Sequence, residues 1–224
     1  MRNPLRKPFR YNFCNATLII VAVNVLLYLI SVFCNRFGII FTFPHFKISF
    51  DYLLSMTPEL VINYKMLWQP VTAMFMHANL EHLFFNMLGL IMFGINVEKS
   101  IGSKEFTLYY FVCGITANLF SLLIYVLSGA NITLLGASGA IFSILFAFAV
   151  IFPTARVFIF GIIPVPGPIL ILIYTIIEIA DQIFGIKGNV AHTTHLLGFV
   201  AAWAYFVIRM GVNPIQVWKN AFRR

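Results

Sequence analysis

The sequence predicts an all-α polytopic membrane protein with six transmembrane helices, the fourth short and central. Three observations carry that prediction. Of 224 residues, 61% are hydrophobic and only 10% charged, with a mean hydropathy of +0.92, whereas a soluble domain carries about 25% charged residues. Six apolar segments can be traced, at 16–33, 82–97, 106–127, 138–152, 167–183 and 190–208. The basic residues cluster at the chain ends and in short connections, which is the pattern of membrane orientation.

Taken in order, residues 1–15 form a basic leading segment, with Arg2, Arg6, Lys7 and Arg10. It runs into apolar residues without a small-residue cleavage site, so 16–33 is expected to be an uncleaved first span rather than a signal peptide. The stretch 35–70 is too long and too aromatic for a solvent loop and predicts short interfacial helices. Spans two and three follow. Span four holds 15 residues, 138–152, about 22 Å of helix against a hydrocarbon core of about 30 Å. The preceding loop, 128–136, is therefore expected to dip into the bilayer, which is tolerated only against protein or a wet cavity. Residues 153–166 contain Pro164-Val165-Pro166 and resist a continuous helix. Spans five and six complete a single domain, 16–210, followed by a tail, 211–224.

With the N-terminus inside, the inner side holds eleven basic residues: Arg2, Arg6, Lys7, Arg10, Lys99, Lys104, Arg156, Arg209, Lys219, Arg223 and Arg224. The outer side holds four: Arg36, Lys47, Lys65 and Lys187. The bias puts both termini in the cytoplasm. Spans two, four and six then run from outside to inside, and the polar residues that open them gather near the outer face.

The net charge of +8 is spread for orientation, not concentrated as a nucleic-acid surface. Three cysteines, Cys14, Cys34 and Cys113, are an odd number without metal-type spacing and predict no disulfide framework. The chain lacks the internal repeat of many transporters.

The polar residues at the span openings are the candidates for chemistry, because polar groups at membrane depth are costly and read as functional. Gly136-Ala137-Ser138-Gly139 places a hydroxyl at the first turn of span four, where free N–H groups can bind an oxyanion. The same glycine spacing also fits plain helix packing. His195 in span six can take the serine proton, or can simply bond a neighbouring carbonyl. Gly198, three residues on, thins that helix on the same face. Phe142, one turn after Ser138, can stack on the imidazole or serve as ordinary core. His82 and Asn86 share one face of span two and can both donate hydrogen bonds, or form a packing pair. His77 lies in the loop before them. Glu178 and Asp181 belong to span five and Glu81 precedes span two, so no acid completes a triad and a Ser–His dyad is expected. His77, His82, His192 and His195 raise a metal site, but there is no His-Glu-x-x-His, and no carboxylate shares a face with His192 and His195. Neither metal nor cofactor is expected.

The joint pattern resembles the rhomboid family of intramembrane serine proteases. It runs from Trp68-Gln69-Pro70 through His77-x4-His82-x3-Asn86 and Gly136-Ala137-Ser138-Gly139-Ala140-Ile141-Phe142 to Ala191-His192-Thr193-Thr194-His195-x2-Gly198. The resemblance covers about residues 55–205 and implies a rhomboid-like bundle. It implies Ser138 as nucleophile, His195 as general base and acid, and an oxyanion hole from the Ser138 N–H with His82 and Asn86. Gly136, Gly139, Phe142, Gly198 and His77 are supporting residues. It further implies transmembrane protein substrates in the lipid bilayer, cleaved near a small residue, without nucleic acid. Span five and the loop 184–190, with Phe184, Gly185 and Gly188, would be gate and cap, and six spans suit a bacterial inner-membrane enzyme. This sequence departs from the family at Gln69 (often arginine), Thr194 (usually alanine), Ala202 (often glycine) and Phe146 (often glycine). Phe142 lacks the hydroxyl some members carry there. The alternative is a catalytically silent relative that binds membrane clients; such relatives typically lose the serine or histidine, and both are present here. A transporter or channel fits less well, because the polar groups sit at one face rather than along a path.

Overall fold

The computed structural model describes residues 9–44, 46–159, 161–184 and 192–223. Arg2, Arg6, Lys7, Lys187, Ala191, Arg224 and the expected cap glycines Gly185 and Gly188 lie outside the described residues.

Among the described residues, five helices are long and apolar enough to cross a membrane: α1 (Ala16–Arg36), α2 (Leu80–Ile101), α3 (Ser103–Ser128), α5 (Gly167–Phe184) and α6 (His192–Met210). Between them stands α4 (Ser138–Ile151), apolar but only 14 residues long. Helices satisfy every backbone group internally, which lipid requires. The six coincide with the six expected apolar segments: the starts at Ala16, Ser138 and Gly167 are as expected, and the other boundaries move by one to four residues. Helix α4 is apolar on all sides, and ten of its 14 residues are buried. It packs against α2, α3, α5 and α6, as a helix with no polar face must. Helix α1 stays peripheral, with Leu18, Ile19, Leu26 and Leu29 exposed on its outer side.

Close packing of α4 on α6 depends on two glycines. A Cβ at Gly198 would collide with the Gly139 carbonyl oxygen. The Ser143 hydroxyl fills the same contact, donating to the Gly198 carbonyl at 2.8 Å and lying 3.0 Å from the Gly139 carbonyl. Small residues that let backbones approach, sealed by a hydroxyl, are a standard solution between membrane helices. Thr194 extends the seam, with its Oγ1 2.7 Å from Ser121 Oγ of α3. Phe146 is accommodated by rings, packing on Phe199, Phe206 and Trp218.

Two connections carry hairpins in addition to what hydropathy predicts. Residues 35–70 do contain short helices, Phe50–Leu54, Pro58–Ile62 and Gln69–Thr72. They are preceded by an antiparallel hairpin, β1 (Ile40–Phe43) with β2 (Phe46–Ser49). Alternating aromatic and β-branched residues favour strands there. The connector after α4 is a second hairpin, β3 (Arg156–Ile159) with β4 (Ile163–Pro166). Its prolines forbid helix and sit in a two-stranded ribbon, where a missing N–H is tolerated.

The first connection also fixes the start of α4. Met56 and Leu134 exchange backbone hydrogen bonds, and the Gly136 N–H donates to the Ala73 carbonyl at 2.9 Å. Met56, Val61, Ala73, Leu122, Tyr125 and Leu134 form a small separate core beneath that contact. Gln69 ties the connection to itself: fully buried, it accepts from the Thr57 N–H at 3.1 Å and donates to the Tyr52 carbonyl at 2.9 Å. A neutral amide thus holds the loop where the family often uses a cation.

Candidate active site

Ser138 is the first residue of α4, so its N–H lacks an intrahelical acceptor. Gly136, two residues earlier, adopts φ +120, a backbone region open chiefly to glycine. Its missing side chain matters as well, since a Cβ there would lie 2.8 Å from His82 Nε2. The turn therefore brings the His82 ring against the backbone that leads into Ser138.

Across the α4–α6 seam, His195 Nε2 lies 2.7 Å from Ser138 Oγ. The imidazole is held in place by Phe142, whose ring is stacked on it at 4.2 Å between centroids and 10° between planes. Phe142 is in turn held edge-on by Tyr174 of α5 and packed on Phe199 of α6. A serine hydroxyl facing a buried imidazole nitrogen at hydrogen-bond distance is the arrangement that proton transfer needs.

On α2, the Asn79 side chain caps the helix by accepting from the His82 N–H at 2.7 Å, the usual role of asparagine at this position. Asn86 spends one amide hydrogen on the His82 carbonyl, at 2.8 Å. The amide carries a second hydrogen. His77, in the loop before α2, is 5% exposed and edge-on to His82 at 5.1 Å. Burial, reinforced by neighbouring His82, pushes its pKa down to about 4. Among the described residues, neither ring nitrogen of His77 has a hydrogen-bond partner.

The expectation that no acid reaches the histidines is corrected by the structure. Glu178 of α5 is 6% exposed, and its Oε2 lies 2.6 Å from His192 Nδ1. Its Oε1 lies 3.0 Å from His195 Nδ1, an ion-pair separation whose direction falls short of hydrogen-bond alignment. The signal is present in the sequence as an ionisable residue inside an apolar span. Glu178 lies 11 residues past the start of α5, about 17 Å along it, and α5 runs toward the end where α4 begins. His192 and His195, three residues apart, present one face to it.

Glu178, His192 and His195 offer ligand atoms all within 4.8 Å of one another. The Glu178–His192 separation of 2.6 Å is a hydrogen bond. Two donors on one tetrahedral zinc, bonded at about 2.0 Å, stand about 3.3 Å apart. The cluster is arranged as a carboxylate hydrogen-bonded to one imidazole and at ion-pair distance from the other.

Residues 64–211 match the Rhomboid domain family model. The chain belongs to the rhomboid family. Rhomboid protein 1, mitochondrial, of Saccharomyces cerevisiae is 39% identical over 95 residues, 42% of this chain and 27% of the relative. RHOMBOID-like protein 1 of Arabidopsis thaliana is 29% identical over 159 residues, 62% of this chain and 40% of the relative. Rhomboid protease GluP of Bacillus subtilis is 38% identical over 78 residues, 35% of this chain and 14% of the relative. The matches thus span less than half the length of these relatives. Relatives include proteins named as proteases and one Arabidopsis protein named inactive. They also include mitochondrial, chloroplastic and bacterial proteins, so the likeness does not select a bacterial inner membrane.

Proposed function

We propose that this integral membrane protein is a serine endopeptidase that cleaves membrane-anchored proteins in or near their transmembrane segment. The observation that carries the reading is the 2.7 Å contact between Ser138 Oγ and His195 Nε2 at the head of the central, short helix. In this reading Ser138 Oγ attacks a peptide carbonyl carbon while His195 Nε2 takes the hydroxyl proton. The tetrahedral oxyanion is met by the Ser138 N–H, the His82 ring and the second amide hydrogen of Asn86. The C–N bond breaks as His195 returns the proton to the leaving amine, and water repeats the sequence to release the acyl group. Gly136 and Gly139 keep backbone close to the reacting atoms, Gly198 admits α4 to α6, and Phe142 holds the base.

The excess of basic residues at the other end of the bundle supports cytoplasmic termini, with the site opening to the opposite side. A small residue before the scissile bond and α5 as the moving gate follow from the family resemblance. Ser138→Ala should abolish cleavage of a membrane-anchored reporter while the protein stays folded; retained cleavage ends the proposal. A silent client-binding role is favoured by a relative that is named inactive. A fluorophosphonate probe separates the two readings, because a silent binder leaves Ser138 unlabelled.

A further inference from the structure

We infer that Glu178 is a positioning residue for His195, fixing its proton on Nδ1 and supplying the counter-charge for the imidazolium. The inference rests on the Ser138–His195 chemistry proposed above. A carboxylate in an apolar span is expensive, and burying one without a partner is costlier still. This one has both oxygens against Nδ1 atoms: Oε2 2.6 Å from His192 and Oε1 3.0 Å from His195.

The chemistry of the acceptor selects the tautomer. An ionised carboxylate only accepts hydrogen bonds. Beside Nδ1 it favours the form with the proton on that nitrogen. Nε2 is then left with its lone pair, 2.7 Å from Ser138 Oγ, and can take the hydroxyl proton. The opposite tautomer would turn an N–H toward Ser138 and remove the base. When His195 becomes a cation during attack, the carboxylate is the anion beside it. Facing the ring are Ser138 from α4, Glu178 from α5, His82 from α2 and His192 from α6 itself. Of these only Glu178 brings a carboxylate within ion-pair distance.

The two histidines have different parts. The His192 contact is aligned and short, so it anchors the carboxylate. The His195 contact is off-line, so it acts through charge and tautomer, while Phe142 sets the plane of the ring. His192 thereby acts through Glu178, and Glu178 through His195.

The test is Glu178→Gln, which keeps the shape and removes the charge, in full-length protein assayed on a membrane-anchored reporter. The expected result is a fall of about 100-fold in kcat with KM changed less than about 3-fold, as for a misplaced reacting group. Nitrogen NMR of histidine-labelled wild type should show His195 protonated at Nδ1 and bare at Nε2, and the variant should show a mixture. Wild-type kcat in a folded Glu178→Gln protein, or a loss with unchanged His195 tautomer, overturns the inference. In either case Ser138→Ala would still abolish cleavage, leaving the proposed hydrolysis standing. Should Glu178→Gln fail to fold, His192→Gln decides: kcat is expected to drop about 10-fold at constant KM, the scale of a lost supporting contact, and wild-type kcat overturns the inference.

Discussion

Buried glutamates occupy both ends of the helix bundle, and they are used differently. At the end away from Ser138, Glu98 accepts from the Ala16 and Thr17 N–H groups at 2.6 and 2.9 Å, from the Thr17 hydroxyl at 2.7 Å and from the Ser103 hydroxyl. It caps the start of α1 from another helix, satisfying donors that the α1 N-terminus leaves free. Glu105 is gripped by Arg209 through Nε at 2.7 Å and Nη2 at 2.9 Å, and accepts from the Tyr205 hydroxyl. These carboxylates are saturated by donors that keep their protons, and they lock α1, α2, α3 and α6 together. Glu178 is instead shared between two imidazoles, one of them out of line. A saturated carboxylate fastens the bundle; a carboxylate facing rings that exchange protons is available to the chemistry.

Breaking the fastened end should give the largest stability effect. Arg209→Ala leaves Glu105, 1% exposed in its side chain, as an unpaired buried charge, and losing one partner of such a pair costs about 3–5 kcal/mol. Thermal unfolding in detergent should show a large fall in midpoint, while the cleavage rate per folded molecule stays near wild type. An unchanged midpoint would erase the contrast between the two ends.

A smaller effect is expected where the two regions meet. Gly198→Ala pushes a methyl into the Gly139 carbonyl, and such overpacking costs about 1–3 kcal/mol. Because the same seam holds Ser138 to His195, reporter cleavage should fall with it. Stability lost without any loss of rate would separate the seam from the site. Phe142→Leu removes the ring stacked on His195, an interaction worth about 0.5–1.5 kcal/mol. A roughly 10-fold drop in kcat is its expected signature, with the unfolding midpoint moved less than by Arg209→Ala.

The mildest test is pH. His77 is held neutral by burial with its pKa at about 4, against about 6.5 in the unfolded chain. Between those values the unfolded state binds more protons, so this contribution to stability is whole above pH 6.5 and is lost as pH falls toward 4. The unfolding midpoint of wild type should decline over that window, and that of His77→Gln should decline less. Parallel slopes for the two proteins would remove His77 as a source of acid sensitivity.

Much of the molecule is legible in the chain. The spans follow from hydropathy, and the shortness of α4 follows from counting residues between Ser138 and Pro153. Ser138 and His195 are paired by depth and motif, since three spans running one way put their opening residues at one end. The strands 40–49 and 156–166 are not legible, because aromatic and β-branched residues suit interfacial helix ends as well as hairpins. Gln69 stands out as a departure, but its bonds to Thr57 and Tyr52 depend on how the connection folds back. Glu178 is visible as a charged residue in an apolar span, yet its place on a different helix hides its contact with the histidines.

The sequence alone determined which segments form apolar helices and that the fourth is the shortest, because hydropathy acts on every residue locally. Which helix faces which, and so which carboxylate meets which imidazole, was decided by packing. Rotation of a helix about its axis leaves hydropathy unchanged. It is set when Gly198 meets the Gly139 carbonyl and Ser143 closes the seam, and α5, packed on both helices, lays Glu178 against His192 and His195.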